Sequence, residues 1–336
     1  MIVDKINVTG DLRVERRFAD VNGKTYGYLY SEPDTGVYRA TIVLLHGFPD
    51  LSMGWRYQIP MLTDMGLRVI APDCLGYGQT DAPEDPHAYS HKSCANDIKE
   101  LAFLLGIPKI IIAGHDWGAA LAYRVALWHP DLVTHIITVC VPYAAPTRRY
   151  FRLEDMVERI APHFYYQLQF ISGELEEHVR TKEDIKRFLS AMYGGRTAEN
   201  EVAFDAELGM LPEKLARVLP SELLSEEELE YYAEEFSRNG FRGPFNWYRT
   251  REINYREELG ILNQHITAPV LFIQALRDTA LPAHLGRGMT RTIPHMTFKQ
   301  INTSHWALWE KPEEVNEIIA WWLEEIVFRD PRMFKL

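Results

Sequence analysis

Short runs of apolar residues recur near both ends of the chain, and polar, glycine or proline residues follow most of them. The runs lie at residues 40–45, 67–71, 109–113, 133–141, 269–273 and 296–301. Between them, the apolar residues have helical spacing at 93–105, 117–128 and 312–328. Apolar strands that alternate with helices are typical of a parallel sheet covered on both faces. The pattern therefore predicts an α/β fold, with a mostly parallel sheet flanked by helices.

Residues 11–30 have a different pattern, in which apolar and polar residues alternate in two runs around Asn22-Gly23. Asn-Gly is a preferred two-residue hairpin turn because both residues tolerate positive φ. We therefore expect an antiparallel hairpin ahead of the parallel strands.

The alternation of strands and helices stops between about residues 145 and 255, where the patterns are helical and no convincing strand is found. Residues 147–255 contain 15 basic and 21 acidic residues, a net charge of −6. The pattern predicts a helical cap domain at 145–255, inserted into a core formed by residues 1–144 and 256–336.

Composition limits the possible classes of function. The chain has 336 residues and a formal charge of −11, which disfavours binding to a phosphate backbone, so we expect no nucleic-acid partner. Its three cysteines are far apart and odd in number, which indicates a reducing compartment. No apolar run has the length of a membrane span, and the first residues lack a signal-peptide pattern. We expect a cytoplasmic protein without a transmembrane segment.

The sharpest local signal is residues 114–118, Gly-His-Asp-Trp-Gly, between the strand at 109–113 and the helix at 117–128. This is the pattern of a nucleophile elbow, a tight turn that presents one side chain at the top of a sheet. The presented side chain is Asp116. The alternative, that Asp116 only caps the helix, is less favoured because the pattern matches on both sides of the turn.

A carboxylate nucleophile can displace a leaving group at an sp3 carbon and leave an alkyl ester on the enzyme. Water must then hydrolyse this ester, which requires a general base. His305 follows the last predicted strand and Asp278 follows the strand at 269–273, as the chain order of such sites requires. We predict that Asp278 orients His305 as the base. The alternatives are a surface or core histidine and a capping aspartate.

Hydrolysis of the ester also needs backbone N–H donors that form an oxyanion hole. Trp117 follows the nucleophile and is one candidate, and Phe48, in the loop after the first core strand, is the other. Pro49 in the same loop is a candidate for a cis peptide bond. His46 could be mistaken for a catalytic histidine, but its position in this loop favours a structural role.

Together these motifs resemble the soluble epoxide hydrolases of the α/β-hydrolase fold. The resemblance rests on residues 46–49 (His-Gly-Phe-Pro), residues 114–118, Asp278 and His305, and it continues over residues 304–316. It extends from about residue 12 to residue 328. The core motifs are shared with haloalkane dehalogenases, so they indicate only the wider group.

The cap separates the two groups, because epoxide hydrolases of this family place two cap tyrosines over the nucleophile. Residues 246–249 (Asn-Trp-Tyr-Arg) are similar to the motif of the second tyrosine, which assigns Tyr248. Residues 164–168 (Phe-Tyr-Tyr-Gln-Leu) assign Tyr166 as the first, with Tyr165 as the alternative. A phenol with a pKa of about 10 can stabilise an epoxide-derived alkoxide and protonate it, whereas a halide leaving group needs no proton.

The resemblance implies an epoxide hydrolase, an ether-bond hydrolase that makes a vicinal diol through an Asp116 ester, without a metal or other cofactor. A role in detoxification follows from the same resemblance. We expect four further residues to contact the substrate: His46, Pro49, Trp247 and Tyr165.

Two alternatives stay open. The first is a dehalogenase in which Trp117 binds the halide, and the tyrosine motifs argue against it. The second is a non-catalytic ligand receptor, which would have no need of the full catalytic set. The expected ligand is a small apolar epoxide, and fatty-acid, terpene and aryl epoxides all remain candidates. The sequence does not determine the regioselectivity or the enantioselectivity of the reaction. Monomer and homodimer both stay open.

Overall fold

Eight of ten strands form one sheet in the computed structural model, which describes residues 3–331. The strands are Glu15–Val21 (β1), Lys24–Ser31 (β2), Ala40–Leu45 (β3), Leu67–Pro72 (β4), Ile110–His115 (β5), Val133–Val139 (β6), Phe204–Asp205 (β7), Gly209–Met210 (β8), Val270–Ala275 (β9) and Met296–Ile301 (β10). The order across the sheet is β1-β2-β4-β3-β5-β6-β9-β10. β2 pairs antiparallel with β1 and β4, and the other neighbours are parallel. The predicted fold class is confirmed.

Helices connect the strands and form the long insertion. They are Ile59–Asp64 (α1), His91–Leu104 (α2), Trp117–Trp128 (α3), Leu153–Arg159 (α4), Tyr165–Ser172 (α5), Glu174–His178 (α6), Lys182–Met192 (α7), Pro212–Leu215 (α8), Glu226–Asn239 (α9), Arg242–Asn246 (α10), Arg251–Glu258 (α11), Met289–Thr292 (α12), Ala307–Glu310 (α13) and Pro312–Trp322 (α14). Within residues 3–331, none of these helices combines the length and the apolar character that crossing a bilayer requires.

The burial of the strands follows the sequence pattern. Every residue of β5 and β9 is buried, as continuous apolar runs in the middle of a covered sheet require. β10 lies at the edge of the sheet, and only its last residue is buried. The hairpin of β1 and β2 turns at Asn22 and Gly23, whose φ angles are 50° and 76°, so the predicted turn is confirmed.

The segment between β6 and β9 contains helices α4 to α11, as the helical pattern predicts. The expectation of no strand in this segment is wrong, because β7 and β8 form a two-stranded antiparallel pair. Each strand has two residues, which is too short for apolar alternation to show in the sequence. The boundaries of the cap stay a prediction, and residues 1–2 and 332–336 of the predicted core lie outside the described residues.

The inserted segment is fastened to the loops beneath it by polar contacts that are largely buried. Glu228 on α9 accepts a hydrogen bond of 2.7 Å from Arg56 Nε. The indole of Trp247 donates to the Leu75 carbonyl at 2.9 Å. Tyr193 donates from its hydroxyl to the Pro49 carbonyl. The insertion therefore covers loops that leave the sheet.

The carboxyl ends of the parallel strands place the predicted chemistry at one edge of the sheet. Asp116 follows β5, Asp278 follows β9 and His305 follows β10. The loop that contains Phe48 follows β3, the neighbour of β5. Residues far apart in sequence are thus brought to one place beneath the insertion.

Candidate active site

The turn between β5 and α3 holds Asp116 in a backbone conformation that few side chains adopt, with φ 52° and ψ −125°. A Cβ atom on Gly118 would lie 2.2 Å from the Leu45 carbonyl oxygen, and one on Gly114 would lie 2.2 Å from the Gly118 oxygen. The two glycines therefore allow β3, β5 and α3 to approach closely. The Asp116 side chain forms no capping hydrogen bond to α3, so the capping alternative does not describe its position.

The loop after β3 packs directly on the Asp116 carboxylate. The Phe48 amide donates to Asp116 Oδ1 at 2.8 Å. Burial raises the pKa of Asp116, while His305 and the amides of Phe48 and Trp117 act in the opposite direction. A Cβ atom on Gly47 would lie 2.3 Å from Asp116 Cβ. The Phe48-Pro49 peptide is cis, as predicted.

His305 lies between two carboxylates. Its Nδ1 is 2.7 Å from Asp278 Oδ2, and its Nε2 is 3.6 Å from Asp116 Oδ2. The amides of Ala280 and Leu281 donate to Asp278 Oδ1 at 3.0 and 2.9 Å. The structure thus brings together Asp116, Asp278 and His305, with Asp278 fixed on both of its oxygens.

The charges of the three groups are coupled. Burial acts to lower the pKa of His305, but Asp278 and then Asp116 raise it to about 9. Burial acts to raise the pKa of Asp278, but His305 holds it below its usual range. A raised pKa favours the imidazolium form of His305 at neutral pH. Neutralising Asp116 would remove one of the causes that hold this pKa up.

Behind His305, two side chains hold its backbone. Its carbonyl oxygen accepts from His115 Nε2 at 2.9 Å and from the Cys140 thiol at 3.2 Å. The ligand-type atoms of His115, Cys140 and His305 lie within 4.8 Å of one another, a spacing compatible with a metal site. However, burial raises the pKa of Cys140 and lowers that of His115 to about 3, and both use a hydrogen to hold the carbonyl. The contacts fit support of His305 better than metal binding.

Tyr166 on α5 and Tyr248 after α10 lie opposite the carboxylate. Each is 7% exposed, and their ring centroids are 6.1 Å apart. Both border a cavity of about 190 Å³, here called the active cavity, together with Asp116, Asp278 and His305. Burial and the nearby Asp116 raise the pKa of both phenols, so both keep their protons at neutral pH.

The alternative first tyrosine does not fit this geometry. Tyr165 is 43% exposed and lies outside the lining of the active cavity. Consecutive residues of a helix point about 100° apart, so only one of the pair can face the cavity. The expectation that Tyr165 contacts the substrate is therefore corrected in favour of Tyr166.

The other expected contact residues also lie outside the lining of the active cavity. His46 is buried, its Nδ1 donates to the Gly47 carbonyl at 2.9 Å, and its Nε2 accepts from the Cys74 amide at 2.8 Å. Trp247 packs behind Tyr248, 6.1 Å from the Trp117 ring. Pro49 presents its carbonyl to Tyr193. These three residues support the site and do not border the cavity.

A second cavity, of about 240 Å³, adjoins the active cavity at Tyr248, and the sequence motifs do not indicate it. Trp117, Gln167 and Arg251 also border it. Arg251 lies just after the second tyrosine motif in the sequence. Its closeness to that motif is the one signal by which sequence reasoning could have found it.

Comparison with known proteins decides the family. The model of the α/β hydrolase fold matches residues 40–312. Epoxide hydrolase srdG of Neurospora crassa is 42% identical over 319 residues, which cover 90% of this chain and 93% of the relative. The chain belongs to the epoxide hydrolases of the α/β-hydrolase fold. The resemblance stated from the motifs is confirmed, and the protein is a hydrolase.

More distant epoxide hydrolases support the same assignment. Bifunctional epoxide hydrolase 2 of Rattus norvegicus is 34% identical over 90% of this chain, which spans only 56% of the rat protein. The crystal structure of epoxide hydrolase A from Mycobacterium thermoresistibile has a TM-score of 0.78 and 29% identity, and the match covers 93% of this chain and 98% of that one. The structural similarity therefore extends over nearly the whole described chain.

Proposed function

We propose that the protein converts an epoxide and water into a vicinal diol through an ester between Asp116 and the substrate. The observation that carries the proposal is the active cavity, in which a buried carboxylate lies opposite two protonated phenols. The names of its relatives, epoxide hydrolases of fungal, mammalian and bacterial origin, support the same reaction. The substrate would be a small apolar epoxide, because aromatic side chains make up much of the cavity wall.

In the first step, Tyr166 and Tyr248 donate hydrogen bonds to the epoxide oxygen. Asp116 Oδ2 attacks a ring carbon while Oδ1 stays bonded to the Phe48 amide. The ring C–O bond breaks, its electron pair goes to the oxygen, and one phenol gives that oxygen a proton. The product is a hydroxyalkyl ester of Asp116.

In the second step, His305 removes a proton from water. Ester formation has neutralised Asp116, so the pKa of His305 falls. The ring passes its extra proton to the phenolate left by the first step, and the neutral ring can then act as the base. Hydroxide attacks the ester carbonyl carbon, and the amides of Phe48 and Trp117 stabilise the oxyanion on Oδ1. The acyl C–O bond then breaks, and the diol leaves with the former Oδ2 and a proton from His305. The proton that remains on the Asp116 carboxyl passes to His305, which restores the starting charges. Asp278 keeps the ring oriented throughout.

A dehalogenase on the same scaffold would need only N–H donors toward the halide. Trp117 borders the second cavity, whereas two phenols border the active cavity with Asp116. Phenols provide a proton that an alkoxide needs and a halide does not. The arrangement therefore favours opening of an epoxide ring. In this proposal residues 1–144 and 256–336 form the core, and residues 145–255 form the cap.

The proposal is tested by a single turnover of excess enzyme with styrene oxide in oxygen-18 water. The expected diol is mostly unlabelled, because its new oxygen comes from Asp116, and the label appears in the protein. An Asp116→Ala variant that melts like the wild type should form no diol. Diol that is fully labelled in the first turnover would contradict the ester, and halide release from bromoalkanes without diol formation would favour the dehalogenase.

A further inference from the structure

The second cavity carries a positive charge in a chain that is acidic overall. Its lining contains three arginines and a single carboxylate, that of Glu258. Arg124 binds Glu258 through two hydrogen bonds, of 2.8 and 3.0 Å, and so cancels its charge. Arg149 and Arg251 remain, and they leave the cavity with two uncompensated positive charges.

Arginines elsewhere in the inserted segment mostly have acidic partners. Seven of the twelve arginines at 145–255 form ion pairs with carboxylates. Arg149 and Arg251 form none with the described residues 3–331. Arg148, Arg180 and Arg196 form none either, but all three are exposed, whereas Arg251 is partly buried and borders a cavity.

Arg251 is held in place although it has no ionic partner. Its Nε donates to the Phe151 carbonyl at 2.8 Å, and Nη2 contacts the Met156 sulfur. Burial lowers the pKa of Arg251, against weaker opposing effects of Tyr150 and Glu154. The guanidinium is thus partly desolvated, and an anion in the cavity would stabilise it.

The two cavities are neighbours in the structure. Tyr248 borders both, and its ring is in edge contact with Trp117, at a centroid distance of 5.1 Å. Gln167 in the second cavity donates to the Tyr166 hydroxyl at 3.3 Å. The lining of the second cavity also includes the apolar Phe151 and Leu153. A hydrocarbon substituent that extends from the epoxide past Tyr248 would enter this cavity and contact apolar side chains.

We propose that the second cavity is an anion-binding subsite, in which Arg251 and Arg149 hold a carboxylate at the far end of a substituent on the epoxide. The inference rests on the proposed function and adds a recognition element to it. A guanidinium matches a carboxylate through paired hydrogen bonds, so the subsite would favour acids over their esters and fix which way round the epoxide lies.

The test compares ω-epoxy carboxylic acids of six to eleven carbons with their methyl esters. The wild type should hydrolyse the acid of at least one chain length with a higher kcat/KM than its ester. Arg251→Met should lower this acid-to-ester ratio by about tenfold or more, and Arg149→Met by less, since Arg149 is exposed. Arg251→Lys should keep part of the ratio because it keeps the charge.

Arg180→Met is the matched control, because Arg180 is exposed on the same segment and borders neither cavity. It should leave the ratio as in the wild type. Equal ratios in the wild type, Arg251→Met and Arg149→Met would overturn the subsite alone, with diol still formed. A wild type that opens none of the epoxides, styrene oxide included, would overturn the proposed function itself. If Arg251→Met does not fold, Arg149→Met and Arg251→Lys decide the matter.

Discussion

The active cavity has two sides, here called the floor and the roof, which differ in charge and in the contacts that hold them. The floor, formed by Asp116, Asp278 and His305, is charged and is anchored by backbone amides and by loops at the ends of strands. The roof, formed by Tyr166 and Tyr248, is neutral and is anchored by contacts between aromatic rings. The floor comes from the sheet, and the roof comes from the inserted segment.

In the proposed mechanism, this difference assigns the two chemical steps to two regions. Ring opening needs donors that are already protonated, which burial ensures for the phenols of the roof. Ester hydrolysis needs a base whose pKa changes when a neighbouring charge disappears, which the charged floor provides. Changes in the floor and in the roof should therefore fail at different stages of one turnover.

The largest effect is expected from His305→Gln in the floor. The variant can still form the ester but has no base for its hydrolysis, so diol turnover should fall by roughly 10²–10⁴-fold. Intact-protein mass spectrometry after mixing with styrene oxide should show one equivalent of substrate attached to the enzyme. The wild type under the same conditions is the control. Lost turnover without attached substrate would mean that His305 also acts in ring opening.

A smaller effect is expected in the roof, on the formation of the ester and not on its hydrolysis. Tyr166→Phe and Tyr248→Phe each remove one donor to the epoxide oxygen, which should slow ester formation by about 10²-fold, and the double variant should be slower still. Rapid-quench measurement of ester formation checks this. Tyr165→Phe, at the exposed neighbouring position, is the matched control and should react like the wild type. Ester that accumulates in a roof variant would place that tyrosine in the second step.

The smallest effect concerns Asp50, which links a loop of the core to helix α9 of the inserted segment. Its Oδ1 accepts from Tyr232 on α9 at 2.8 Å, its Oδ2 has no hydrogen-bond partner among the described residues, and burial raises its pKa to about 7. An unfolded aspartate has a pKa of about 3.9, so the ionised group disfavours the fold increasingly between about pH 4 and pH 7.

Asp50→Asn removes this charge and keeps the shape of the side chain. The difference in Tm, variant minus wild type, should therefore increase between pH 5 and pH 8, by roughly 2–8 °C. Thermal denaturation at both pH values measures it, with Asp64→Asn on α1, which is exposed, as the control. A difference that stays constant with pH would show that Asp50 keeps an ordinary pKa in the fold.

The sequence predicts the floor better than the roof, for a physical reason. Elbow glycines, strand ends and chain order are local signals, and they place Asp116, Asp278 and His305 where the structure has them. The choice between Tyr165 and Tyr166 depends on the rotation of a helix against the sheet, which a five-residue motif does not determine. The charge of the second cavity depends on which arginines lack acidic partners. Ion pairs between residues that are distant in sequence leave no pattern in the chain, so this charge could not be predicted.

The contacts that hold the inserted segment on the core have a consequence for access to Asp116. Lifting the segment as a hinged lid would break the contact of Glu228 with the buried Arg56, at a cost of about 3–5 kcal/mol, and those of Tyr232 and Tyr193 as well. Substrate and product should therefore enter and leave through the openings of the two cavities while the inserted segment keeps its position on the core. The enzyme would then sort epoxides by cross-section at the entrance, admitting slender chains and turning away rigid polycyclic molecules before any chemistry begins.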